Sequence, residues 1–124
     1  MTQVAFDAEL FERNLNALRM RNAPLAHCIE QTEDDPSVVV ERAKNDRWTL
    51  SVDGRAVLSR YAPDRDVQRV VADEPEGGSQ RRVLVVFGLD LGYLPLALWR
   101  RTRAKIHLVE PRLGVWRAAL GATD

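Results

Sequence analysis

The sequence predicts an α/β protein in two parts: an N-terminal α+β module with an antiparallel β-meander over residues 1–77, and the opening βαβα unit of a Rossmann-like domain over residues 78–124. Three observations carry this expectation. Apolar residues recur at helical spacing near the N-terminus. Short Val-, Leu- and Thr-rich segments then alternate with turn residues, Asp53-Gly54 being a strong hairpin pair. Finally, residues 82–87 form a near-continuous apolar run that enters a glycine-bounded turn, as a strand of a parallel sheet covered on both faces does.

In chain order, Phe6, Leu10, Phe11, Leu15 and Leu18 define an amphipathic helix over residues 6–20, with acids early and Arg13, Arg19 and Arg21 later, as the helix dipole prefers. Pro24 ends it, because the residue before a proline avoids helical geometry, and then opens a second helix to residue 30. The acidic run Glu33-Asp34-Asp35 is expected to be a solvated loop. Strands over 37–42, 47–52 and 55–59 form the meander, with Trp48, Leu50 and Val52 on one face of the middle strand and Trp48 filling a core against the first helix. A helix over 64–73 carries Val67, Val70 and Val71 on one side. Residues 74–80, with Pro75, Gly77 and Gly78, have linker composition and set the domain boundary. Beyond it come a strand over 82–87, a helix over 93–101, a strand over 105–109 and a helix over 112–120, an order that implies two parallel strands with a right-handed crossover. Trp99 and Trp116 are expected to pack on this sheet. Two parallel strands do not make a stable open sheet, so this unit is expected to pair with the meander, with another copy through an exposed sheet edge, or with further chain.

Composition narrows the function. The 124 residues are 45% hydrophobic and 29% charged, with a mean hydropathy of −0.30, which excludes disorder and collagen. The longest apolar stretch is broken by Gly88, Asp90 and Gly92, short of the roughly 20 residues that a bilayer requires. No membrane partner is expected. Asp7, Glu9 and Glu12 stand where a secretory signal would be basic and then apolar, and Cys28 is the single cysteine, so a reducing cytoplasm is the expected compartment. Zero net charge argues against nucleic acid as a partner. That neutrality is a cancellation: residues 1–77 hold ten basic and fifteen acidic side chains (net −5), and residues 78–124 hold eight and three (net +5). Sixteen of the eighteen basic residues are Arg, which base composition of the genome or anion recognition would each explain. His27, Cys28 and His107 lack paired ligand spacing, so no metal site is expected. Ser59 and Ser79 lack the setting of a nucleophile elbow, and no triad is present.

The informative motif is Gly88-Leu89-Asp90-Leu91-Gly92-Tyr93, a Gly-x-Asp-x-Gly turn between a buried strand and a helix. Glycines allow close backbone approach to a ligand, and the free N–H groups of a helix N-terminus attract phosphate. Glu110, at the end of the next strand, sits where an acid accepts hydrogen bonds from ribose hydroxyls. Gly88, Asp90, Gly92, Tyr93 and Glu110 are therefore the candidate nucleotide-binding residues. The spacing fits neither the dinucleotide fingerprint nor the P-loop. A methyltransferase loop carries glycines at positions one, three and five and an acid two residues earlier, where this chain has Asp90 in the middle and Val86 before it. S-adenosylmethionine is thus the weaker cofactor candidate. The glycines serving only close packing of strand and helix, with Glu110 solvated, is the alternative.

These residues, together with Val109-Glu110-Pro111 and Val115-Trp116-Arg117-Ala118-Ala119-Leu120, resemble the opening of the domain shared by bacterial motility accessory factor glycosyltransferases and archaeal 6-hydroxymethylpterin diphosphokinase-like proteins. Upstream, Leu58-Ser59-Arg60-Tyr61-Ala62-Pro63 resembles the family segment His-Ser-Lys/Arg-Tyr-Asp-Pro, with Leu58 for His, Ala62 for Asp, and Asp66-Val67 in place of a following Glu-Ala. Asn14-Leu15 through Asn22-Ala23-Pro24-Leu25-Ala26 is similar to the accessory factors' N-terminal region. The resemblance implies transfer of a nonulosonic sugar from a CMP-activated donor to flagellin Ser or Thr, with Gly88, Asp90, Gly92 and Glu110 lining the nucleotide cleft and Asp90 contacting donor hydroxyls or a cation. It also implies a longer domain, of which only the first two strands are present, so activity of this chain alone is not expected. No catalytic base is assigned. A methyltransferase-like or other nucleotide-binding protein and a non-catalytic association module are the alternatives.

Overall fold

The computed structural model describes residues 6–74 and 83–123. Apart from Glu74, the expected linker lies outside the described residues, as do the boundary at 77/78 and Arg82.

Helix α1 (Ala8–Arg19) starts where the Asp7 carboxylate accepts hydrogen bonds from the amides of Glu9 and Leu10 at 3.0 and 3.1 Å, satisfying two of the donors that a helix start leaves unpaired. Asn22 caps α2 (Ala23–Glu30) in the same way through the amide of Leu25. The meander follows as β1 (Val38–Arg42), β2 (Trp48–Val52) and β3 (Arg55–Ala56), antiparallel in that order, with Val38 opposite Val52 and Val52 opposite Arg55. Asp53 and Gly54 take φ of 54° and 78°, the two left-handed residues that a type I′ hairpin needs. The third strand is shorter than expected. The amides of Val57 and Leu58 both converge on the carbonyl of Leu50, a bulge that takes the chain out of the ladder.

Helix α3 (Pro63–Ala72) leads to the last segment: β4 (Val83–Phe87), α4 (Tyr93–Thr102), β5 (Lys105–Val109) and α5 (Leu113–Ala122). Strands β4 and β5 are parallel, from Val83 opposite Lys105 to Phe87 opposite Val109, and form a sheet separate from the meander. Pairing of the two sheets, one of the three expected outcomes, does not occur among the described residues.

Three apolar cores hold these elements. Leu50 of the meander packs with Leu89, Leu91, Val115 and Ala119, with Trp48 and Val52 alongside. The meander's apolar face is therefore closed by the β4–α4 turn and by α5, and Trp48 fills that core rather than one against α1. Val67 and Val71 of α3 pack with Val86, Ala97 and Leu98. Phe11 and Leu15 of α1 pack with Ala26 and Ile29 of α2 under Leu113, Trp116 and Leu120 of α5. The Asn14 amide donates to the carbonyls of Leu120 and Thr123 at 2.8 and 2.7 Å, so α1 also satisfies acceptors that the end of α5 leaves open.

Strand β4 departs from expectation. Leu84 and Val86 face the helices, whereas Val83, Val85 and Phe87 face outward and are exposed, Phe87 by 80%. One face of the sheet is covered, not two; an apolar run without alternation cannot distinguish the cases. Trp99 is likewise 48% exposed, with the Arg103 guanidinium 4.2 Å from its ring centroid.

Helix α5 approaches the acidic loop closely at Gly114, where a Cβ would stand 2.6 Å from the Cβ and Oδ2 of Asp35. Replacing a helical glycine by alanine ordinarily stabilises by about 1 kcal/mol. At this position overpacking of about 1–3 kcal/mol dominates, so Gly114→Ala is expected to lower the free energy of unfolding measured in urea.

Candidate functional site

All five residues singled out in the sequence come together at the carboxyl ends of β4 and β5. Gly88, Asp90 and Gly92 have φ of 98°, 50° and 84°, and they alternate with Leu89 and Leu91, which are buried in the meander core. The turn thus sends leucines inward. It is closed by hydrogen bonds from the Gly88 amide to the Val109 carbonyl and from the Gly92 amide to the Leu89 carbonyl, both 2.8 Å.

Gly92 is the N-terminal boundary of α4, and no side chain caps this helix. Because Pro95 has no N–H and the Gly92 amide is engaged, the donors available in the first turn are the amides of Tyr93 and Leu94. The Tyr93 side chain serves the fold, because its hydroxyl donates to the Trp48 carbonyl at 2.7 Å and pins α4 to β2. Burial raises the Tyr93 phenol above its ordinary value; the Asp64 charge adds to this and Arg47 opposes it.

Glu110 straps the two strand ends together. One carboxylate oxygen accepts from the Leu89 amide at 3.1 Å and the other from the Arg112 amide at 3.0 Å, while its backbone carbonyl accepts from the Trp116 indole N–H at 3.0 Å. Each oxygen keeps a further lone pair for a ligand hydroxyl. Asp90 is half-buried beside it. Burial first, and then the Glu110 charge, hold the Asp90 carboxyl above its ordinary value.

Sequence reasoning missed Arg112. Its guanidinium donates to Asp35 at 3.0 Å and to Asp53 at 3.0 Å, and reaches the Ser37 hydroxyl. Arg117 donates to Asp34 at 2.9 Å and lies over the rings of Phe6 and Phe11. The acidic run is therefore the counterpart of α5 and not a purely solvated loop. No local signal connects residues 59 to 83 positions apart. Among the described residues, no group of three or more His, Cys, Asp or Glu side chains could hold a metal ion, and no helix is long and apolar enough to cross a membrane.

A meander packed on a buried turn of a parallel βαβα unit, with the candidate residues at the carboxyl edge, is a mixed α/β arrangement. No protein-family model matches the chain, and no curated protein sequence matches it. Among solved structures it is similar to a MAf glycosyltransferase from Magnetospirillum magneticum AMB-1, with a TM-score of 0.73 and 15% identity over 95% of this chain. The chain spans 24% of that protein's length. The expected likeness to motility accessory factor glycosyltransferases holds at the level of the fold.

The Ser37 hydroxyl, and then Arg112, hold the Asp35 carboxyl below its ordinary value of 3.8. The stability linked to a depressed carboxyl is present above that value and is lost as pH falls through the lower folded value. Arg112→Ala is expected to lower the melting temperature at pH 7. Its gap to the wild type should stay constant down to mildly acidic pH and close only below 3.8, as read from melting curves across pH.

Proposed function

We propose that this chain is the nucleotide-binding part, or a short relative, of a nucleotide-sugar-dependent glycosyltransferase. The observation that supports this best is the β4–α4 turn, which presents left-handed Gly88, Asp90 and Gly92 and an uncapped helix start beside Glu110, within a fold shared with a glycosyltransferase. In this reading the amides of Tyr93 and Leu94 take a donor phosphate, and Asp90 and the spare lone pairs of Glu110 take ribose or sugar hydroxyls. The resemblance in sequence favours a CMP-activated nonulosonic acid as donor and a flagellin Ser or Thr as acceptor, with the reaction in the cytoplasm. A catalytic base would come from outside these residues.

Thermal shift with CMP, CDP, UDP, GDP and S-adenosylmethionine tests the reading. CMP is expected to raise the melting temperature most; at 100 times its Kd it contributes about 2.7 kcal/mol. Asp90→Ala, which removes the side chain that would meet the hydroxyls, should diminish the response. If no nucleotide shifts the transition, the reading fails, and if S-adenosylmethionine alone does so, a methyltransferase-like protein replaces it.

A second reading, association through the sheet, is favoured by the outward face of β4–β5, where Val83, Val85, Phe87 and Val109 are all exposed. Parallel sheets are covered on both faces, and a second copy meeting this face about a two-fold axis would cover both protomers alike. Sedimentation equilibrium is expected to show a concentration-dependent dimer that Phe87→Ser weakens; a wild-type monomer at all concentrations removes this reading.

A further inference from the structure

Two adjoining cavities run along the flank of α4, away from the turn's outward face. One, of about 260 Å³, lies between α3, α4 and the start of β2 and is lined by Arg47, Asp64, Gln68, Tyr93 and Arg100. The other, of about 430 Å³, is mostly apolar, with Leu89, Leu91, Pro95, Ile106, Leu108 and Trp99 in its walls. Leu96 and Thr123 belong to both, so the two cavities adjoin along this wall.

The charges of the polar cavity are unbalanced. Arg47 lies 3.8 Å from Asp64, a long single contact, and Asp64 is also held by the Asn45 amide at 2.7 Å. Arg100 makes no ion pair or hydrogen bond with any described residue, whereas its neighbour Arg101 is turned to the carbonyls of Glu74 and Ala72. Two arginines therefore line a cavity with one carboxylate. Guanidinium forks bind phosphate through paired N–H donors, and the space beside them is apolar enough to take a flat hydrocarbon body.

We propose that this compound cleft binds a phosphate monoester with an apolar body, its phosphate between Arg47 and Arg100 and its body over Leu96 in the apolar cavity. The cleft shares Gly92 and Tyr93 with the candidate nucleotide site, but its phosphate is held by the side chains of Arg47 and Arg100 and not by the amides at the start of α4. Arg100 lies seven residues, roughly 10 Å of helix rise, from Tyr93.

Phenyl phosphate is the probe, titrated into the full 124-residue chain by calorimetry, with the Trp99 indole NMR signal as a local reporter; inorganic phosphate and phenol are the two half-ligands. The expected result is binding of phenyl phosphate at least about tenfold tighter than either half-ligand, with movement of the Trp99 signal. Arg47→Gln and Arg100→Gln should each weaken it about tenfold, the scale of one charge-assisted contact. Arg69→Gln, an exposed substitution on α3 outside the cleft, should leave affinity unchanged. Absence of binding, equal affinity for phenyl phosphate and inorganic phosphate, or equal losses from Arg69→Gln and Arg100→Gln would each overturn the proposal. CMP stabilisation that persists in Arg100→Gln separates failure of this site from failure of the nucleotide reading.

Discussion

The burial of Leu89 and Leu91 is the constraint on which the remaining arrangement rests. Each contributes about 1.5–3 kcal/mol when removed from water, and both do so from a turn rather than from a helix or strand. The left-handed conformations of Gly88, Asp90 and Gly92 turn the chain between β4 and α4 while both leucines reach one core. Once the leucines meet Leu50 and Val115, the start of α4 and the ends of β4 and β5 are fixed against the meander. The hydroxyl of Tyr93 and the carboxylate of Glu110 then hold positions that apolar packing has already set.

Electrostatics acts on this frame as an alignment. Single exposed ion pairs contribute little, but Arg112 engages Asp35, Asp53 and Ser37 together, and Arg117 combines Asp34 with two aromatic rings. The acidic and basic halves of the sequence meet along this seam. The charge difference between the two halves is in part complementarity between surfaces, and Gly114 makes the approach possible by omitting a side chain where Asp35 lies.

Most of the elements were legible because their signals are local. Helical spacing located α1 and α3, and Asp53-Gly54 fixed the hairpin register through backbone preference alone. The candidate turn was legible for the same reason, since its glycines, its acid and Glu110 adjoin two strands. What was not legible depends on partners distant in sequence. Nothing near Val83–Phe87 tells whether a second layer covers its outer face. Nothing near Trp99 tells that it will stay half-exposed with Arg103 over its ring. The placement of Arg47 and Arg100 on one cavity and the Arg112 seam arise only when separate segments pack, and local sequence carries no pattern for them.

The turn's chemistry divides according to charge. An ionised Asp90 next to a phosphate would cost about 4 kcal/mol at 4 Å with an effective dielectric of 20, comparable with what the helix dipole and two charge-assisted amide bonds return. A phosphate at the start of α4 and an ionised Asp90 therefore oppose one another. Two arrangements avoid the conflict: Asp90 protonated, toward which burial and Glu110 already bias it, or Asp90 turned to neutral hydroxyls while the phosphate keeps to the amides of Tyr93 and Leu94. Both favour a ligand that carries hydroxyl groups close to its phosphate over a bare anion. Glu110 acts in the same direction, since its strapped oxygens can accept from hydroxyls but repel a second negative charge. A ribose or sugar next to a phosphate satisfies these conditions together, and inorganic phosphate does not.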